Sequence, residues 1–196
     1  MMDEEVLILD LFLFRLINGH TGHPAWDRLF LFLTAIGWGG AIWVAFALVL
    51  LLGARRLPGL KEARWRAVGL GLLLALCLAW GTETTLKPLI ARPRPPLATA
   101  DTRLRGTLPQ SYSLPSGHAL TSFAAAGVLT AASRRGNRAD AAAPLALAAL
   151  IGISRIWVGH HYPLDVAAGA LLGWLIGRMV WNSLERLLSR GSRTLD

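Results

Sequence analysis

Cysteine is nearly absent from this chain and carboxylates are scarce. Its 196 residues include a single cysteine, Cys77, and 12 Asp and Glu against 20 Lys and Arg. One cysteine excludes an intramolecular disulfide, and its place inside an apolar run leaves redox compartment unreadable. No internal repeat and no low-complexity tail breaks the chain, which argues against a solenoid or a disordered appendage. The first residues, Met1-Met2-Asp3-Glu4-Glu5, are acidic where a signal peptide is basic, and no small-residue cleavage site follows, so no processing is expected. Charge of either sign is thin, at 16% of residues.

Apolar residues fill the space. Hydrophobic residues make up 54% of the chain and the mean hydropathy is +0.46, too apolar for an ordinary soluble protein. The length suits one domain, 1–196, with a core over 28–184. Apolar runs at 6–17, 29–53, 67–86, 117–133, 141–158 and 164–184 predict an all-α, polytopic membrane bundle of about six transmembrane helices. The first is short and carries Asp10 and Arg15, so an interfacial helix is the alternative there. Trp26, Trp65, Trp80, Trp157 and Trp181 fall near segment ends, where aromatic anchors belong.

The net charge of +8 raises nucleic acid as a partner. The basic residues sit in short connections between apolar runs, however, where they set topology and meet lipid headgroups. No nucleic-acid partner is expected. The connection 54–66, the turn 134–140 with Arg134, Arg135 and Arg138, and the tail with Arg186, Arg190 and Arg193 lie on one side of a six-span bundle. The positive-inside rule makes that side cytoplasmic, so the loop 87–116 and the connection 159–163 face outward. In the last run Gly169, Gly173 and Gly177 recur every fourth residue. Such a stripe serves either packing within the bundle or a homodimer face, and packing is the commoner use.

Three stretches at the outward end carry the chemistry. Lys87 and Arg94 follow the third run; Arg offers a planar fork and Lys a point charge to phosphate oxygens. Taken singly, both also read as interfacial anchors. Pro88, Pro93, Pro95 and Pro96 are expected to prevent a regular helix here. Arg92, Arg103 and Arg105 read as headgroup contacts at best. Glu83 stands four residues before Lys87, the favourable order for a helical ion pair.

In Pro115-Ser116-Gly117-His118, Ser116 suits a helix N-cap and Gly117 admits an anion close to the backbone. Free N–H groups at a helix start cradle phosphate, and His118 stands where it could protonate a leaving oxygen. Further on, Arg155 precedes His161, and Pro163 opens a helix containing Asp165. Asp165 lies one turn from His161 and can orient its imidazole, making His161 a credible nucleophile toward phosphorus. His160 has no carboxylate at that spacing and reads as a wall residue. Three cations in one site would repel a divalent ion, so no metal and no cofactor are expected.

Lysine, six residues and Arg-Pro; Pro-Ser-Gly-His; and Ser-Arg, five residues, His, three residues, Asp appear here as Lys87, Arg94 and Pro95, residues 115–118, and Ser154, Arg155, His161 and Asp165. This arrangement resembles the three-part signature of the type 2 phosphatidic acid phosphatase superfamily, without a departure at any signature position. The resemblance implies that Lys87, Arg94 and Arg155 bind phosphate with Ser116 and the Gly117 N–H. It implies that His161 attacks phosphorus, that His118 protonates the leaving group, and that water then hydrolyses a phosphohistidine with His118 as base. Similar bacterial proteins act on undecaprenyl diphosphate or phosphatidylglycerophosphate, often also on phosphatidate. An outward site favours undecaprenyl diphosphate in a bacterial plasma membrane, with the lipid tail staying in the bilayer. A non-enzymatic headgroup binder or transporter component is the reading from another class. It needs the cations but not His118, His161 and Asp165. Soluble relatives that oxidise halides with vanadate are excluded by the apolar runs.

Overall fold

The computed structural model describes residues 4–19, 24–56, 60–133 and 138–193, and among them the regular structure is helical with no strand. The helices are α1 (Glu4–Asn18), α2 (Pro24–Ile36), α3 (Ala41–Ala54), α4 (Leu60–Ile90), the single turn α5 (Pro95–Ala98), α6 (Gly117–Ala132), α7 (Arg138–Trp157) and α8 (Pro163–Arg193). Of the basic turn 134–140, residues 134–137 lie outside the described residues.

The centre of the bundle is α6, a run of small residues, Gly117-His118-Ala119 through Ala131-Ala132, in which eleven of sixteen positions are buried. Small side chains let neighbouring backbones come close, which substitutes for the hydrophobic drive that lipid cannot supply. The glycine stripe of α8 lies against it. A Cβ on Gly169 would meet the Ser116 carbonyl oxygen, and Cβ atoms on Gly173 and Gly177 would collide with the carbonyls of Leu120 and Ala124. The stripe is therefore a packing face within the chain. Around it, Trp43, Leu72, Leu76, Leu120, Val128, Ile151 and Trp181 form the main core, and the Trp43 indole donates to Ser122 Oγ at 3.0 Å.

Three expectations change. The run 29–53 is not one straight helix. It breaks at Gly37–Gly40, where Gly39 (φ 55°) and Gly40 (φ 76°) adopt left-handed backbone that side chains disfavour, and α2 and α3 meet at a 46° bend. Pro88 does not stop α4, which runs on through it to Ile90. The helix instead ends at Ala91, whose φ of 50° and N–H to the Lys87 carbonyl (2.9 Å) make a left-handed cap. Trp157 and Trp181 are buried rather than interfacial, whereas Trp26, Trp65 and Trp80 are exposed.

Among the described residues two stretches, Lys61–Ala98 and Pro163–Ser189, are long and apolar enough to cross a membrane, and the bent pair α2–α3 passes the same test jointly. The apolar helices Gly117–Ala132 and Ala141–Trp157 are shorter. By length and composition alone two of the described helices, or three with the bent pair taken as one span, meet the criterion, which does not confirm a count of six. The chain alternates direction so that the C-terminal ends of α4 and α7 and the N-terminal ends of α6 and α8 meet at one end of the bundle.

Candidate active site

All eight site residues expected from the sequence converge at that end. Lys87, Arg94, Arg155, Ser116, His161 and Asp165 are each at most 7% exposed. Such burial of charge is tolerated only with partners.

Past the cap at Ala91 the chain is extended, with Arg94 at φ −76° and ψ 156°. Arg92 and Arg94 have separate partners. Arg94 Nε donates to the Ser111 carbonyl (2.6 Å), Nη2 to Ser111 Oγ (3.0 Å) and Nη1 to the His160 carbonyl (2.8 Å). Nη1 also stands 3.2 Å from His161 Nε2. Arginine has no acceptor, so Nε2 must be the nitrogen that carries the lone pair. The His161 proton is thereby assigned to Nδ1, which faces Asp165 Oδ2 at 3.5 Å. That distance is longer than a hydrogen bond. Burial, the largest influence, lowers the pKa of His161 to about 3; the charge of Arg94 acts in the same direction and Asp165 opposes it. The ring is neutral at physiological pH, as a nucleophile must be.

Lys87 Nζ pairs with Glu83 Oε1 (2.5 Å) and reaches Ser111 Oγ (3.3 Å), so Glu83 holds the lysine as its spacing suggested. The Glu83 carboxylate also lies against the start of α6, where a Cβ on Gly117 would collide with it. Ser116 occupies the N-cap position of α6, but its hydroxyl makes no capping bond; its backbone N–H donates to the Asp165 carbonyl at 3.0 Å. Arg155 contacts His160 Nδ1 through Nη2. Ser116 Oγ and Arg155 Nε are buried polar atoms left without a hydrogen-bond partner, an arrangement an anion would relieve.

His118 Nε2 stands 3.1 Å from the Thr34 carbonyl on α2. A carbonyl only accepts, so Nε2 carries a proton and Nδ1 is the nitrogen left for proton transfer. Thr34 Oγ1 in turn meets Ser154 Oγ at 2.9 Å, tying α2 to α7 beside the site.

The sequence reading missed four residues. Asp165 Oδ2 accepts from Ser113 Oγ (2.5 Å) and the Tyr162 N–H (2.9 Å). Its Oδ1 accepts from Arg92 Nη1 (2.6 Å), and Arg92 Nη2 pairs with Asp10 on α1 (2.5 Å). Arg92 is therefore a part-buried bridge between two buried carboxylates and not a headgroup contact. Asp10, Arg92, Ser111 and Ser113 were invisible as site residues, although a carboxylate inside an apolar run always demands a partner. Arg105 is likewise internal, pairing with Asp27 at 2.9 Å and donating to the Trp157 carbonyl at 2.7 Å. Through its backbone, Arg103 exchanges two hydrogen bonds with the Asn18 side chain (2.8 and 2.9 Å).

A helical membrane protein with two histidines, a buried carboxylate and three converging cations at one end of the bundle defines a class of phosphoryl-transfer site. The sequence pattern of the PAP2 superfamily matches residues 68–188, and this chain belongs to that family of lipid phosphatases, hydrolases of phosphate esters. It is 31% identical over 137 residues to a decaprenylphosphoryl-5-phosphoribose phosphatase of Mycobacterium tuberculosis, covering 70% of each chain. It is 32% identical over 164 residues to an undecaprenyl-diphosphatase of Sulfolobus acidocaldarius, covering 83% of this chain and 73% of the relative. In fold it is similar to a transmembrane PAP2-type phosphatidylglycerolphosphate phosphatase from Bacillus subtilis, with a TM-score of 0.77, 21% identity and coverage of 94% and 88% of the two chains.

Proposed function

We propose that this chain hydrolyses the phosphate or diphosphate of a membrane lipid through a phosphohistidine on His161. The observation that carries this reading is the placement of His161. Arg94 on Nε2 and Asp165 opposite Nδ1 leave the lone pair directed toward the cation cluster. Lys87, Arg94 and Arg155 bind the phosphoryl oxygens, with Ser116 Oγ and the Gly117 N–H completing the cradle at the start of α6. His161 Nε2 attacks phosphorus and the P–O bond to the lipid oxygen, or to the second phosphate, breaks. His118, entering the step protonated on both ring nitrogens, gives that oxygen its Nδ1 proton. Water, deprotonated by His118, then cleaves the P–N bond and releases phosphate. Positive charge that develops on the His161 ring is balanced by Asp165, and charge on the phosphoryl oxygens by the cations.

The nearby carboxylates are already committed: Asp165 and Asp10 to Arg92, and Glu83 to Lys87. That commitment supports chemistry driven by the protein's cations rather than by a metal. For substrate we favour undecaprenyl diphosphate. A cavity of about 710 Å3 adjoins the Asp165 support and is lined by Leu7, Ile90, Pro93, Leu114 and Tyr162, which suits a hydrocarbon chain. Both relatives named above carry a polyprenyl group in their names. The fold neighbour is a phosphatidylglycerolphosphate phosphatase, which makes phosphatidylglycerophosphate the second reading. We place the protein in a bacterial plasma membrane with the site on the outer side, on the loop charges.

The test is phosphate release by purified protein in EDTA, comparing undecaprenyl diphosphate with phosphatidylglycerophosphate. Higher kcat/KM on the isoprenoid is expected, with no turnover by His161→Ala, which should still bind lipid. Turnover by that variant refutes the nucleophile; release only with added metal refutes the metal-free mechanism. Lipid binding without any turnover would favour the non-enzymatic reading.

A further inference from the structure

The region matched by the family pattern begins at residue 68, yet a side chain far upstream holds the arginine that grips Asp165 and the backbone N–H just before it. Asp10 is 4% exposed. Its Oδ2 holds Arg92 Nη2 at 2.5 Å, and its Oδ1 accepts the backbone N–H of Leu164, the residue before Asp165, at 2.8 Å. Arg92 extends its other arm to Asp165 Oδ1 at 2.6 Å, and its guanidinium lies 4.1 Å over the Tyr162 ring. The guanidinium is thus fixed by two carboxylates and an aromatic face.

We propose that Asp10 and Arg92 are positioning residues for the reaction, forming a buried relay, Asp10–Arg92–Asp165–His161, that aims the Asp165 carboxylate and keeps it charged. The proposal rests on the reading of His161 as nucleophile. The planar fork of Arg92 suits the role, because a guanidinium can grip two carboxylates at once in fixed geometry and an ammonium cannot. Orientation is the first consequence. Asp165 Oδ2 is already shared between Ser113 and the Tyr162 N–H, and the hold of Arg92 on Oδ1 sets the rotation that leaves Oδ2 facing His161 Nδ1.

Charge is the second consequence. Asp10, Arg92 and Asp165 together carry one net negative charge, which remains to offset the imidazolium formed when His161 attacks. The other groups facing Asp165 are the neutral Ser113 hydroxyl and Tyr162 N–H, with the cation Arg94 on the far side of the imidazole. Without Asp10, Arg92 would neutralise Asp165 fully. Without Arg92, two buried carboxylates would face each other and one would take up a proton. Either change weakens the support given to the transition state and leaves the phosphate cradle of Lys87, Arg94 and Arg155 in place.

The test uses full-length protein in detergent and four variants: Asp10→Asn, Arg92→Gln, Arg92→Lys and His161→Ala. Thermal unfolding, kcat and KM for the lipid substrate, and inhibition by orthovanadate as a phosphate mimic are measured for each. Asn retains an oxygen for the Leu164 N–H, so Asp10→Asn should fold. Its kcat should fall by roughly tenfold and that of Arg92→Gln by roughly a hundredfold, as misplacement of a catalytic group by about 1 Å produces. KM and the vanadate constant should stay at wild-type values, and Arg92→Lys should fall between Arg92→Gln and wild type. Unchanged kcat in Asp10→Asn overturns the relay. So does a weaker vanadate constant with kcat intact, which would make Arg92 a phosphate ligand. Failure of Asp10→Asn to fold would reduce Asp10 to a scaffold contact and also overturns it. Turnover by His161→Ala would sink the nucleophile itself, whereas a dead His161→Ala beside a normal Asp10→Asn would sink only the relay.

Discussion

Adding one methyl group to Gly173 should damage both stability and turnover. Its Cβ would lie 2.9 Å from the Ala124 nitrogen and 3.0 Å from the Leu120 carbonyl carbon, and would collide with the Leu120 oxygen. All three are backbone atoms of α6, which no rotamer change can move. Ordinary contact begins near 3.4 Å, so α6 and α8 must part by about 1 Å in an interior that is otherwise close-packed. Overpacking of this kind costs about 1–3 kcal/mol, or a fall in Tm of roughly 3–10 °C for a chain of this size. The two helices also carry opposite halves of the site, with Ser116, Gly117 and His118 on or at the start of α6 and Asp165 on α8. A displacement of about 1 Å between them should lower kcat by up to a hundredfold. The internal control is Gly81→Ala on α4, where a Cβ meets nothing within 4 Å and which should stabilise the helix by about 0.5–1 kcal/mol. Thermal unfolding in detergent and phosphate release measure both effects. A Gly173→Ala protein with unchanged Tm and turnover would refute the claim that this stripe sets the α6–α8 distance.

Two further predictions concern the surroundings of the site. Burial lowers the pKa of both His160 and His161 to about 3. The unfolded chain takes up protons below about pH 6.5 while the native state resists, so stability is full above that pH and is lost as pH falls toward 3. At pH 5 the loss is about 2 kcal/mol per histidine; His160→Gln should flatten the dependence of Tm on pH between 7 and 5, and an already flat wild-type profile would contradict it. Asn18→Ala should cost about 3 kcal/mol. Asn18 Nδ2 donates to the carbonyls of Arg103 (2.9 Å) and Trp157 (2.9 Å) and its Oδ1 accepts the Arg103 N–H (2.8 Å). Chemical denaturation would measure the loss, and a shift no larger than that of an exposed substitution would exclude the clamp.

The motif residues were legible because their chemistry depends on residue type and local spacing. Glu83 and Lys87 pair at the interval helical geometry requires, Gly117 begins α6, and Pro163 begins α8. Less legible was whatever depends on one residue's φ or on contacts between distant segments. Nothing in the string Ala91-Arg92-Pro93-Arg94 declares that Ala91 adopts φ 50° and turns the chain. The signature singles out Arg94, but without that turn Arg92 looks like a surface cation, and only its partners, Asp10 and Asp165, mark it as a carboxylate bridge. Pro88 misled as well: a proline removes a single ladder bond, and α4 runs on through it for two more residues. Asp10 gave the clearest overlooked signal. A carboxylate in an apolar run was read as a sign of interfacial placement, when burial against an arginine satisfies the same energetic demand.

Both histidines owe their arrangement to helices outside the matched region. The Thr34 carbonyl of α2 fixes the tautomer of His118, and Asp10 of α1 holds Arg92 and thereby Asp165. The motifs supply reactive groups, and α1 and α2, which lie outside the matched region, add to the orientation that Arg94, Ser113 and the Tyr162 N–H provide. An identical set of motif residues can therefore work at different rates on different N-terminal scaffolds. Helix α1 also bears on substrate choice, because Leu7 helps line the cavity while Asp10, less than one turn further along, grips Arg92. A lipid chain that displaces α1 at Leu7 would also strain the Asp10–Arg92 contact. Exchange of α1 between relatives is then expected to change chain-length preference and kcat together, whereas exchange of the distal half of α8 should change neither. If α1 exchange altered preference with kcat untouched, the cavity and the catalytic support would be independent, and the mechanical link between them would be wrong.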